Sequence, residues 1–331
     1  MRHSGYGWPV SVERPDPTRL PSPERPRLFL GDGGLETALI YGEGFELPCF
    51  ASFPLLRDER GVEALRRYYG SFLEIARRHG LGFTLDTPTW RANRDWGEQL
   101  GYSPAALADV NREAVAFAER LRAEWETQET PVAICGTLGP RDDAYAPAEE
   151  MDAEAAERYH AEQIATFADT AADMIGVYTL PYAAEGVGIV RAATAAEMPV
   201  TIAFTVETDG RLPSGQPLGE AIEAVDAETD GAALYFMVNC AHPTHFAAAV
   251  ETGGAWLERL GGVRANASSK SHEELDESTE LDPGDPEELG RLYAELKPQL
   301  SSVRVLGGCC GTDSRHIACV CDAWLASGAP A

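Results

Sequence analysis

Positive charge is what this sequence has least of: 27 lysines and arginines stand against 53 aspartates and glutamates, for a formal net charge of −26. So acidic a surface repels nucleic acid and anionic lipid headgroups, which excludes both as partners and leaves solvation as the reading of the excess. Long apolar runs are lacking as well. No stretch reaches the roughly 18–20 residues needed to cross a bilayer, and the first residues hold no apolar segment of the signal-peptide kind, so a cytoplasmic protein without membrane contact is expected. A paired cysteine framework is also missing. Seven cysteines is an odd number, and two of them are adjacent, which fits metal or catalytic use better than secreted disulfides. What is plentiful is apolar side chain, 44% of 331 residues, ample for a sizeable core.

Prolines 9, 15, 17, 21, 23 and 26 crowd a stretch with few apolar anchors, so residues 1–26 are expected to form an extended or disordered arm. From Arg27 onward, short apolar runs alternate with longer amphipathic stretches, as in repeated strand-then-helix units. The strand candidates are Leu28–Leu30, Gly82–Leu85, Val132–Cys135, Met174–Val177, Val200–Thr205, Ala233–Val238, Val263–Ala265 and Val303–Leu306. Several are apolar on both faces, as strands buried on both sides are. Helical stripes lie between them, such as Val62, Leu65, Tyr69, Phe72 and Ala76, and then Leu107, Val110, Ala114, Phe117 and Leu121. These units predict a single-domain (β/α)8 barrel of the TIM type over residues 27–326, with a short tail at 327–331; an open doubly wound sheet is the alternative. The polar, acidic segment Asn266–Asp285 is read as a loop with one short helix, either a cover for the barrel mouth or a solvated excursion.

Cys240 follows the sixth predicted strand directly, and Cys309-Cys310 follow the eighth. In a barrel those strand ends share the rim that carries active sites, so three sulfurs come within reach of one ion. Three thiolates suit Zn2+ and leave a fourth position open for water or substrate. A substrate thiol there would lose its proton at neutral pH, and a metal without redox chemistry points to group transfer. Gly307, Gly308 and Gly311 give the adjacent cysteines backbone freedom. Cys319 and Cys321 lie two apart in the last predicted helix and point to different faces, so they are read as packing residues; Cys49 and Cys135 are isolated, and Cys135, ending the third strand, is read as a small core residue with the pocket lining as the alternative. His242 and His245 are near Cys240, but Pro243 favours a turn or helix start there over ligation.

Asp32-Gly33-Gly34-Leu35-Glu36-Thr37 after the first strand, Asn239-Cys240 after the sixth, and Gly307-Gly308-Cys309-Cys310-Gly311-Thr312 after the eighth resemble the homocysteine S-methyltransferase family. That family includes betaine–homocysteine methyltransferases and the homocysteine-binding module of methionine synthase. The resemblance covers about residues 27–326. It implies a zinc held by Cys240, Cys309 and Cys310, homocysteine as the thiol acceptor and methionine as the product. Asp32 and Gly33 would hold the amino-acid end of the thiol, and Asn239 and Gly308 would shape the pocket. S-methylmethionine or S-adenosylmethionine is the favoured methyl donor, because no cobalamin or folate module accompanies the barrel.

Two segments depart from the family pattern. Where relatives commonly have Glu-Thr-Ile-Pro after the fourth strand, with the Glu receiving the substrate amino group, this chain has Tyr178-Thr179-Leu180-Pro181. Another acid, such as Asp32, Glu36, Asp86 or Glu207, would then have to receive it. After the second strand stands Thr87-Pro88-Thr89-Trp90-Arg91, where Trp90 is able to stack on a cationic donor and Arg91 to clamp a carboxylate. The same residues also fit methyl transfer to a different small thiol, or a zinc- and thiol-binding barrel that acts only with a partner subunit. Self-association into a homo-oligomer is left open.

Overall fold

The computed structural model describes residues 17–22, 25 and 27–328. Eight parallel strands form one closed barrel in sequence order: β1 (Phe29–Leu30), β2 (Gly82–Asp86), β3 (Val132–Leu138), β4 (Met174–Leu180), β5 (Val200–Phe204), β6 (Phe236–Asn239), β7 (Leu260–Ala265) and β8 (Val305–Gly308). Closure rests on the pairing of Phe29 with Val305 and Leu30 with Leu306, which an open sheet would lack. The fold is the expected (β/α)8 barrel.

Each apolar run becomes a strand because both of its faces are covered. Phe29, Cys135, Met174, Tyr235, Met237 and Val305 belong to a cluster inside the barrel. Their alternating neighbours Leu30, Ile134, Ile175, Phe236 and Leu306 belong to the layer shared with the helices. That outer layer is made by α1 (Glu59–His79), α2 (Pro104–Trp125), α3 (Ala153–Ala168), α4 (Ala183–Ala195), α5 (Leu218–Glu228), α6 (Pro243–Thr252), α7 (Pro286–Leu296) and α8 (Ser314–Ala326). The predicted stripe of α2 is buried throughout, and of the α1 stripe only Val62 stays partly exposed. Asp58, Ser103, Asp152, Asp285 and Asp313 begin five of these helices by accepting a backbone N–H in the first turn.

Of the stretch expected to be an arm, residues 1–16, 23, 24 and 26 lie outside the described residues, as do 329–331 of the expected tail. Residues 17–22 pack on the barrel: Leu20 is 8% exposed and joins Phe29, Met174 and Val305, at the end where those strands begin. Arg19 pairs with Glu126 at 3.0 Å. At the opposite end, the loop after β7 contains the short helix His272–Asp276, started by a Ser271–Glu274 capping box, and it walls the barrel mouth. Among the described residues no helix is long and apolar enough to cross a membrane.

Candidate metal centre and substrate pocket

The three cysteines predicted from sequence do converge: their sulfurs all lie within 4.8 Å of one another, with Cys240 Sγ 3.6 Å from Cys310 Sγ. Cys240 leaves β6 in a left-handed conformation, φ 56°, which turns its side chain out of the strand alternation. The turn is held because Asn266 donates to the Cys240 carbonyl at 3.0 Å and Cys240 N donates to Arg264 O at 3.0 Å. After β8, Thr312 donates to the Cys309 carbonyl from its hydroxyl at 2.7 Å, and Ala267 N donates to the Cys310 carbonyl at 3.1 Å. Glycine is required where the loop after β1 crosses this turn, since a Cβ on Gly34 would lie 2.6 Å from the Cys309 oxygen. A Cβ on Gly308 would meet the Thr312 hydroxyl that holds the turn.

Three thiolates around a tetrahedral zinc, each at about 2.3 Å, stand about 3.8 Å apart, so the observed cluster fits that ion. Hydrogen bonds from Cys309 and Cys310 hold the Cys240 thiol well below the usual thiol range. The same bond to Cys240 pushes Cys309 up to about 12, and hydrogen bonds to its neighbours push Cys310 up as well, so the three thiols titrate as a set. Two further groups touch the sulfurs. The Tyr145 hydroxyl is 2.9 Å from Cys240 Sγ, with its ring stacked on His272 at 3.9 Å, and the Asn239 amide approaches Cys309 Sγ at 3.8 Å. His242 and His245 are not ligands. They lie at the start of α6, where His242 bonds the Thr244 hydroxyl at 2.8 Å and His245 the Ser269 carbonyl at 2.9 Å. Cys135 and Cys321 are buried in the core clusters, and Cys49 and Cys319 are half-buried away from the sulfurs.

The cysteines open onto a pocket of about 390 Å³, lined by the expected substrate contacts Asp32, Gly33, Thr87, Trp90, Arg91, Tyr178, Asn239 and Gly308; of the alternative acids, Glu36 and Asp86 also line it and Glu207 does not. Several are already engaged by protein groups. Arg264, on β7, was not anticipated; its buried guanidinium makes ion pairs with both Asp32 and Asp86. Tyr178 joins the same cluster, donating to Asp86 at 2.9 Å and accepting from Arg264 at 3.0 Å. Burial pushes the Asp32 carboxyl up to about 7, with Arg264 opposing the rise and Asp86 adding to it. Asn239 ties strand ends together, accepting from Thr179 N and donating to the Thr179 hydroxyl, both at 2.8 Å.

On the other side, Trp90 donates to the Tyr178 carbonyl at 3.1 Å, and the Arg91 guanidinium lies 4.1 Å from its ring and 4.0 Å from that of Trp96. One face of Trp90 is therefore already covered by a cation. The Thr87 hydroxyl bonds Thr89 at 2.7 Å and receives Thr137 N at 2.9 Å, which fixes the loop after β2. Glu36, in the short helix Leu35–Thr37, also lines the pocket and accepts from the Ser52 hydroxyl at 2.7 Å; burial pushes its carboxyl up. Sequence reading missed Tyr145 and His272, which carry no motif. Arg264 did leave a signal, a charged residue inside a run otherwise fit for a doubly buried strand.

A model of the homocysteine S-methyltransferase family matches residues 29–324. Among solved structures, the metallated and oxidised forms of the homocysteine methyltransferase MmuM from Escherichia coli are each similar with a TM-score of 0.67 at 20% identity, over 90% of this chain and 96% of that one. The apo form of the same protein gives 0.59 at 18%, over 92% and 97%. At these identities the likeness is one of fold. Curated protein sequences show no match.

Proposed function

Because the chain belongs to the homocysteine S-methyltransferase family and is a methyltransferase, we propose that it moves a methyl group from a sulfonium donor to the sulfur of homocysteine, giving methionine, with Zn2+ held by Cys240, Cys309 and Cys310. S-methylmethionine and S-adenosylmethionine are the donors of choice. The observation that carries this reading is the convergence of three thiols, from two distant strand ends, onto the floor of one pocket.

Zinc bound to that trio would lower the pKa of an entering thiol, so that a nucleophile exists near neutral pH without a general base. The chain's own residues do the rest. Asp32, Gly33, Asn239 and Gly308 form the floor against which the acceptor lies, and Asn239 orients Cys309. The stacked Tyr145 and His272 form a wall that keeps water from the reacting sulfur. At the mouth, Asp143, Asp276, Glu280 and Asp282 make a negative field that favours entry of a cationic donor, and Tyr41, 47% exposed, offers an aromatic face to it. In the transfer, the acceptor sulfur forms a bond to the methyl carbon as the donor's sulfur–methyl bond breaks. The donor leaves as a neutral thioether, and the acceptor's thiol proton passes to solvent.

Purified under reducing conditions, the protein is expected to hold about one zinc per chain and to form methionine from homocysteine and S-methylmethionine. Cys240→Ala, Cys309→Ala and Cys310→Ala should each abolish tight zinc binding and turnover, and Cys319→Ala should do neither. Zinc retained by Cys309→Ala but lost from Cys319→Ala would overturn the assignment, and faster transfer to another thiol would reassign the acceptor.

A further inference from the structure

The pocket contains two charged side chains that make no direct ion pair: Arg91 lies in the field of Asp143 and of Glu36, and Glu36 in that of Arg91, without contact. Glu36 accepts from Ser52, and Arg91 donates to the Asp142 carbonyl at 3.0 Å; both partners are neutral. No ion pair involving either is found among the described residues, although both line the same cavity. Arg91 is 7% exposed, its Nε is buried without a partner, and two tryptophan rings hold its guanidinium. Unpaired charge in a partly desolvated site is costly, and a ligand that brings both counter-charges relieves both costs together.

The other charged groups near the sulfurs are less available. Asp32 and Asp86 are both taken by Arg264, and the Tyr178 hydroxyl already donates to one member of that cluster and accepts from another. Glu36 is also close to the chemistry. Its neighbour Thr37 receives a hydrogen bond from Gly311 N at 3.1 Å, which fastens the short helix to the turn that carries Cys309 and Cys310. A carboxylate has lone pairs to spare after one hydrogen bond, which suits an ammonium, and a planar guanidinium matches a carboxylate with two parallel bonds.

We propose that Glu36 and Arg91 form a clamp for a zwitterion, Glu36 receiving the α-ammonium and Arg91 the α-carboxylate of the amino-acid acceptor. The inference rests on the proposed function and deepens it. Amino-acid recognition is thereby assigned to the loops after β1 and β2, and the Asp32–Arg264–Asp86–Tyr178 cluster becomes the frame beneath them.

The test is binding of L-methionine, the expected product, set beside its des-amino analogue methylthiobutyrate and its decarboxylated analogue methylthiopropylamine, measured by calorimetry on the full chain. Glu36→Gln should weaken L-methionine and methylthiopropylamine about ten- to hundredfold and leave methylthiobutyrate unchanged. Arg91→Gln should weaken L-methionine and methylthiobutyrate by a similar factor and leave methylthiopropylamine unchanged. Thermal melting checks that each variant is folded. Should loss of Arg91 unfold the tryptophan stack, Ser52→Ala, which frees the Glu36 carboxylate, should still weaken only the two ligands that carry an amine. Equal loss for all three ligands, no loss for any, or no binding of L-methionine to the wild-type chain would overturn the clamp. Methyl transfer by the wild-type chain is read separately. An inactive chain whose variants discriminate as described would sink the proposed function and leave the clamp standing, and an active chain with indiscriminate variants would do the reverse.

Discussion

The Cys240 sulfur is both the one whose pKa the hydrogen bonds from Cys309 and Cys310 hold down and the one 3.6 Å from Cys310. A peroxide added to metal-stripped protein should therefore join Cys240 to Cys310, two thiols and one peroxide giving a disulfide and two waters. Adjacent Cα atoms lie about 3.8 Å apart, short of the roughly 4.4–6.8 Å that an ordinary disulfide spans, so the neighbouring pair is the poorer match. Mass mapping that finds Cys309 joined to Cys310 would contradict this. Asp32 supplies a second residue-level prediction. Its folded-state pKa of about 7 lies above the ordinary 3.8, so between those values the folded chain keeps a proton that the unfolded chain has lost. Stability is therefore expected to fall as pH rises through that interval, by about 1.4 kcal/mol per pH unit, and to level off above it. Asp32→Asn removes that titration, so melting temperatures at about pH 4.5 and about pH 8 should differ less than in the wild-type chain. Parallel curves for the two proteins would refute the account. The cysteines were legible in the sequence because thiols beside glycine after an apolar run are rare and chemically specific. The pairing of Arg264 was not, because its two partners lie 232 and 178 residues away and only closure of the barrel makes them neighbours.

Strand ends, more than strands, make the site. Thr179 at the end of β4 has φ 66°, uncommon for a β-branched residue, and Asn239 at the end of β6 clips both its N–H and its hydroxyl. Asn239 was expected to shape the pocket; what it does through the backbone of β4 needed the coordinates. Asn239→Ala should cost about 1–3 kcal/mol of stability for the buried groups left unsatisfied. Zinc affinity should drop about tenfold or more, because the amide also supports Cys309. Chelator competition and denaturant melts measure the two effects, and unchanged values in both would remove Asn239 from the framework. The strand cores themselves were readable, since β-branched and aromatic runs buried on two faces have few alternatives. Their boundaries were less so: the first two residues of the run read from Val303 precede β8, and β4 extends to Leu180, past the Val177 where its apolar run was read to end.

At the scale of the molecule, the barrel is plugged at one end and opens onto the cysteine pocket at the other. Leu20, from a proline-rich stretch that offered no periodic pattern, packs among Phe29, Met174 and Val305 opposite the cysteines. Leu20→Ala should therefore destabilise the chain by about 2–3 kcal/mol without altering zinc content, as burial in a core requires and a free arm would not. A change within experimental error would show that the contact carries no weight. The sequence by itself determined the architecture and pointed to the three cysteines that the barrel brings together, because periodic burial and thiol chemistry are local properties that survive without coordinates. Only the tertiary structure decided which charges answer one another. Arg264 pairs in direct contact with Asp32 and Asp86 across the barrel, whereas Glu36 and Arg91 face one cavity and keep only neutral contacts. The physical reason is that an electrostatic interaction depends on distance in space and on burial, and a linear sequence fixes neither.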